Sequence, residues 1–387
     1  MYSEDDINSA VAAGAISAEN AAAFRMHMSR IRDMPRGDEE NFRLLNSFND
    51  IFVAIGVVIM LFAAGAIGQA LAGMIAPQES WWLVSNVDAM TPERWEQIER
   101  QNALNVAMTV LLSGLFVAAT AWPLAEFFTR RRRMALPSII LLLAFVAGTF
   151  AFFAGAGFAV ANGSENERVA AILVSLSGLL AAGAAWLHWK RFMVPITIAA
   201  GSAAVAGTAI ALVMAALGPD NISDPETFLL SLVFMAGLAV FAFAMRWDMS
   251  DPGRTTRRSD VAFWLHLLAA PMIAHPIFAL IGVTDGDAIG VGAALGVLAV
   301  YVAFGFVALA VDRRALLVSA LAYVLIALTF LFDRFGAVEL TFAFTALVIG
   351  SALLTLSAFW SPIRRQVTAI LPGSLQARLP VSEALPA

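Results

Sequence analysis

The residues with the clearest chemical potential are the histidines and prolines of one apolar segment, 261–283. His266 and His275 lie in it, and Pro271 and Pro276 stand five residues apart. A proline frees the carbonyl four residues before it, so this pair predicts a kinked or broken helix. An imidazole and free carbonyls at membrane depth are groups that line a wet cavity. The alternative is a neutral His275 hydrogen-bonded to a neighbouring helix at an ordinary proline kink.

A second chemical hypothesis is that histidines of different segments share a ligand. His266 and His275 lie on opposite faces of a helix, about 13 Å apart along its axis, so they cannot hold one ion or one haem. His188 and His266 fall near the same end of their predicted helices and could pair. We nevertheless expect no metal, no cofactor and no catalytic residues. Cysteine is absent, and no HExxH, GxSxG or nucleotide-binding loop occurs.

Two acids stand at the ends of apolar segments. Glu126 precedes Arg130 by four residues, which is the spacing of a salt bridge on one helix face, with a proton-coupling carboxylate as the alternative. Asp50 would cap the first apolar helix or pair with the arginine run 130–133. We predict structural roles for both acids.

The composition requires that lipid cover much of the chain. Of 387 residues, 60% are hydrophobic and only 14% are charged, whereas soluble domains carry about 25% charged residues. The apolar runs are long and do not alternate, which excludes a membrane β-barrel and predicts an all-α bundle of about ten transmembrane helices. The predicted spans are 48–74, 103–128, 134–160, 169–189, 192–217, 228–245, 261–283, 289–311, 315–332 and 338–360.

The basic residues give this bundle a direction. All but four of the 24 lysines and arginines fall before the first span, in alternate loops or after the last span. Because basic loops stay in the cytoplasm, the pattern predicts that both termini are cytoplasmic. The four exceptions are Arg94, Arg100, Arg168 and Arg334.

The sequence predicts one segment before the transmembrane domain and one segment after it. Residues 1–45 form a cytoplasmic helical hairpin and linker, in which Gly14 ends one helix and Ser17 caps the next. Residues 46–362 form the ten-helix transmembrane domain. Residues 363–387 form a cytoplasmic tail that we expect to be disordered.

Local signals refine three of the spans. Thr91 and Pro92 predict a helix start that continues into span 2. Gly148 and Gly155 in span 3, and the GxxxG of 292–296 in span 8, predict close helix packing.

The segment 7–21, INSAVAAGAISAENA, resembles a recurring bacterial hairpin with a Gly-x-Ile-Ser turn. It is similar to the SHOCT-type short domain and to the N-terminal hairpin of a family of uncharacterised bacterial polytopic membrane proteins. The resemblance implies a multi-pass protein of the bacterial inner membrane, and it implies no particular activity.

Two hypotheses of function follow. The first is a non-enzymatic membrane scaffold or sensor whose hairpin binds a protein partner or another copy of the chain. The second is a permease for a small or lipophilic solute that uses the proline-broken span 7. Membrane lipids are expected partners under both hypotheses, and nucleic acid under neither. A water-accessible cavity that reaches His275 would favour the permease, and a closed bundle would favour the scaffold.

Overall fold

The computed structural model describes residues 4–33, 48–79, 91–161, 167–218, 221–254, 256–283, 290–334, 341–376 and 378–380. All regular structure in these ranges is helical. The helices are α1 (Glu4–Ala12), α2 (Ala18–Asp33), α3 (Phe48–Ile75), α4 (Pro92–Ala125), α5 (Ala135–Ala161), α6 (Glu167–Phe192), α7 (Ile196–Leu217), α8 (Pro225–Met249), α9 (Arg257–Leu280), α10 (Val291–Val311), α11 (Ala315–Arg334), α12 (Thr341–Ala358), α13 (Trp360–Ile370) and α14 (Gly373–Gln376).

The two N-terminal helices belong to a compact unit separate from the helical bundle. Gly14, between α1 and α2, has a φ of +70°, a conformation that glycine adopts without the strain of a Cβ atom. Ser17 Oγ accepts a hydrogen bond of 3.1 Å from the Asn20 amide at the start of α2. Gly14 and Ser17 therefore end one helix and cap the next, as their residue types predict.

The bundle is a multi-pass membrane architecture. Among the described residues, nine helices are long and apolar enough to cross a membrane, and α12 with α13 makes a tenth if this bent pair is one span. α11 begins next to Arg313, and α12 returns the chain to Trp360, whose indole donates a hydrogen bond to Asp312. α12 therefore leads back to the end of the bundle where α11 begins.

The start of α4 is set by the predicted cap. Thr91 Oγ1 accepts a hydrogen bond of 3.3 Å from the Arg94 amide, and Pro92 occupies the first turn. α4 continues without interruption into the second span and ends in a π-helical turn, Glu126–Arg131.

The bundle consists of two halves that meet at α7. Helices α3 to α7 pack on one another, and α8 to α13 form the second group, which contacts the first mainly where α7 packs on α9. α9 is the central helix of the second half. It is the most buried of the nine candidate spans in the described part of the chain. We use "basic face" for the end of the bundle at which α4, α6, α8 and α10 finish; ion pairs between Glu126 and Arg191 and between Arg254 and Asp312 join its loops.

The C-terminal segment differs from the prediction of a disordered tail. The chain bends by 75° after α12 and continues as α13 and α14, so residues 363–376 are helical apart from a short connection. One face of α13 is buried: Trp360 and Arg364, four residues apart, are almost inaccessible, whereas Ile370 is 80% exposed. Tertiary contacts of these two side chains attach the segment to the bundle.

Candidate functional site

A fully buried ion pair is the most polar feature of the second half. Arg313 Nη2 donates to Asp248 Oδ1 over 2.7 Å, and the residues are 1% (Asp248) and 4% (Arg313) exposed. His266 Nε2 lies 2.8 Å from Asp248 Oδ2. The guanidinium also donates to the carbonyl oxygen and hydroxyl of Ser259, over 3.1 and 3.2 Å. We call Asp248, Ser259, His266 and Arg313 the inner cluster.

Three helix ends supply this cluster. Asp248 lies in the last turn of α8, and Ser259 and His266 lie in the first half of α9. Arg313 belongs to the tight turn between α10 and α11, where Asp312 adopts a left-handed conformation with φ 59° and ψ 46°. Aspartate tolerates that conformation better than most residues, and it ends α10 abruptly. The turn therefore directs the adjacent side chains of Asp312 and Arg313 into two separate clusters.

Asp312 is the centre of the outer layer. Its carboxylate accepts hydrogen bonds of 2.7 Å from Arg254 Nη1 and from Trp360 Nε1, and Arg364 Nε lies 3.5 Å from Oδ1. Arg364 Nη2 also donates to the Pro380 carbonyl over 2.7 Å. We call Arg254, Asp312, Trp360 and Arg364 the outer cluster.

The outer cluster is largely buried. Burial and the nearby Arg313 lower the pKa of Arg254 from its ordinary value, while the Asp312 carboxylate opposes this shift. The guanidinium of Arg314 stacks on the Trp360 ring, 4.6 Å from its centroid. α13 is thus fixed to the bundle by an indole hydrogen bond, ion pairs and a cation–π contact.

The arrangement couples four pieces of chain at the basic face. Breaking a buried ion pair by removing one partner leaves an uncompensated charge and costs about 3–5 kcal/mol, so these elements hold one another in a single arrangement. The two clusters share the turn at Asp312 and Arg313. The neighbouring residues Asp312 and Arg313 therefore connect α13 with α8 and α9.

His188 lies in the first half, and it does not form the possible pair with His266. Its Nδ1 lies 3.4 Å from Thr197 Oγ1, and its ring packs among aromatic rings of the first half. Its Nε2 has no hydrogen-bond partner among the described residues. His266 is occupied by Asp248 instead. The aromatic neighbours of His188 are Trp122, Phe145 and Phe192.

His275 faces outward rather than into a cavity. Its Nδ1 lies 2.6 Å from the Tyr323 hydroxyl, and the residue is exposed on the surface of the bundle. α9 is helical without interruption through Pro271 and Pro276, so the helix is not broken there, and the kink stays a prediction. Tight packing of α9 in the core maintains the helical backbone despite the two lost amide donors. His275 is hydrogen-bonded to a neighbouring helix, as the structural alternative expected.

The acids singled out in the sequence have different environments. Glu126 pairs with Arg130 over 3.4 Å, as its spacing predicted, and with Arg191 over 2.5 Å, which links α6 to the end of α4. Asp50 is buried in the first turn of α3.

Sequence reasoning missed Asp248, Ser259, Asp312 and the role of Arg313. Span 6 was predicted to end at 245, whereas α8 ends at Met249, so Asp248 was assigned to a loop. A helix end drawn one turn later would have left an acid at the same depth as His266. The chain matches no protein-family model, no curated protein and no solved structure.

Proposed function

We propose that this multi-pass protein is a membrane scaffold or sensor of the bacterial inner membrane, with the basic face in the cytoplasm. One observation carries the proposal: the inner and outer clusters fix α13 to the ends of α8, α9 and α10. A protein that binds a partner at the membrane surface requires a face with a fixed conformation. The basic loops support this orientation, because lysine and arginine stay on the cytoplasmic side of spanning segments.

The N-terminal helices are the proposed contact with a partner or a second copy. Phe24 on α2 is 43% exposed, although its aromatic ring favours burial. The resemblance of 7–21 to the SHOCT-type hairpin supports the same role. In this proposal the N-terminal unit recruits a partner, and the basic face carries the response.

Orientation is tested first, and the absence of cysteine makes the test simple. Ser250→Cys is exposed at the basic face, and Asn221→Cys is exposed at the opposite face. A membrane-impermeant maleimide applied to spheroplasts, which lack the outer membrane, should label Asn221→Cys, and Ser250→Cys only after permeabilisation. The reverse pattern would put the basic face outside and overturn the orientation.

Self-association is tested by disulfide cross-linking in membranes. Phe24→Cys should give a covalent dimer under mild oxidation, whereas Glu19→Cys, exposed on another side of α2, should not. Equal cross-linking at both positions would indicate random collision. No dimer at either position would rule out self-association through this face and leave recruitment of another protein.

The permease alternative predicts a cavity that reaches His275. Two grooves of about 550 and 510 Å³ open on the bundle, and His275 lines neither. His275→Ala should therefore leave the uptake of solutes into proteoliposomes unchanged. A loss of solute uptake in this variant, at unchanged thermal stability, would restore the permease.

A further inference from the structure

A groove of about 550 Å³ lies at the seam between the two halves, where α6, α7 and α8 diverge. Its walls are almost entirely apolar, and many of the lining residues are alanines or glycine. Along α7 it extends from Thr197 to Ala209, about 18 Å at 1.5 Å per residue. Half of a bilayer's hydrocarbon layer is about 15 Å thick. The groove therefore has the length of one leaflet and lies on the basic-face side.

Two cations stand at the end of the groove nearest the basic face. Lys190 follows the lining residue Trp186 by four residues, and its Nζ lies 4.0 Å from the centre of that ring. Arg246 follows the lining residue Phe243 by three residues and is exposed. Residues at these spacings share a helix face, so both cations lie on the groove side of their helices.

Some other cations of the basic face have an acidic partner. Arg191 pairs with Glu126, and Arg313 pairs with Asp248. Within the described parts of the chain, neither Lys190 nor Arg246 forms an ion pair with an acid. Unpaired cations beside an apolar slot suit a ligand that has an anionic head and a hydrocarbon tail.

We propose that this groove binds one anionic phospholipid of the leaflet on the basic face. One acyl chain lies between α6, α7 and α8, and the phosphate binds Lys190 and Arg246. The lipid fills the seam between the halves and so stabilises their relative position. This lipid site is independent of the scaffold proposal.

Native mass spectrometry of the full-length protein in detergent tests the site. Dioleoyl phosphatidylglycerol should bind one molecule per chain, about 30-fold more tightly than dioleoyl phosphatidylcholine, as two basic residues near a headgroup predict. Lys190→Ala with Arg246→Ala should abolish that preference. Arg258→Ala with Arg365→Ala, which removes two exposed cations of the same face, should keep it.

Two further measurements distinguish binding of the lipid headgroup from binding of the acyl chain. Ala236→Phe, which fills the groove, should also weaken phosphatidylglycerol binding, and inorganic phosphate alone should give no thermal stabilisation. Unchanged lipid preference in the Lys190 and Arg246 double variant would overturn the headgroup assignment. Unchanged binding in Ala236→Phe, or equal stabilisation by phosphate alone, would overturn the acyl-chain assignment.

Discussion

The two halves of the bundle hold their helices together by different means. In the first half, α4 and α5 approach so closely that a Cβ atom on Gly148 would lie 2.8 Å from the Gly114 carbonyl oxygen. A Cβ atom on Gly68 of α3 would lie 2.5 Å from the Ser113 amide nitrogen of α4. In the second half, the buried α9 and the ionic clusters at one end provide much of the attachment.

This difference follows from the solvent. Lipid gives helices no hydrophobic reason to associate, so close van der Waals packing or interhelical hydrogen bonds must supply the attraction. Small residues supply the first along the whole length of a helix. Ionic groups supply the second only where they can be fully paired, near the membrane surface. The first half therefore depends on close packing along its helices, and the second half combines the packing of α9 with ionic clusters at its basic end.

The largest expected effect comes from breaking the inner cluster. Asp248→Ala removes the buried carboxylate that Arg313 and His266 contact, so the free energy of unfolding should fall by about 3–5 kcal/mol. Thermal unfolding in detergent measures the change. Glu96→Ala, which removes an exposed pair with Arg100, should cost about 0–1 kcal/mol. Asp248→Leu with Arg313→Met should be less destabilising than Asp248→Ala, and a larger loss would contradict the ion-pair account.

A smaller effect is expected from crowding the first half. Gly148→Ala puts a methyl group against the backbone of α4, and overpacking of this kind costs about 1–3 kcal/mol. Gly183→Ala meets nothing within 4 Å and should be neutral or stabilising, because alanine favours a helix more than glycine does. Equal melting temperatures for the two variants would show that close packing does not hold this half.

The smallest effect concerns the attachment of α13. Trp360→Phe keeps an aromatic ring but loses the hydrogen bond to Asp312, which should cost about 0.5–1.5 kcal/mol. The loss should disappear when Asp312 is already alanine, and a double-mutant cycle measures this dependence. Additive effects would mean that the two side chains do not interact.

The sequence predicted the features that are local along the chain. Long apolar runs predicted the spans, Thr91 and Pro92 predicted the start of α4, and the Glu126 spacing predicted its pair with Arg130. Each of these depends on residues within a few turns of one helix. Gly148 was also identified correctly as a site of close packing.

Features that depend on distant partners were not predicted. Arg313 and Asp248 are 65 positions apart, and one sequence does not indicate which buried acid an arginine will meet. The GxxxG motif in α10 predicted a close helix crossing, but a Cβ atom on Gly292 would have no neighbouring atom within 4 Å. The order of α13 depends on Asp312, 48 positions before Trp360. Tertiary pairing decided all three features.

The most direct test of the central claim is hydrogen exchange along the chain in Asp312→Ala. We expect faster exchange of the α13 amides, smaller changes at the ends of α8 and α9, and none in α4 or α5. Asp224→Ala, which removes an exposed helix cap at the opposite face, serves as the control and should leave α13 unchanged. Unchanged exchange of α13 in Asp312→Ala would contradict the claim that the outer cluster fixes this helix to the bundle.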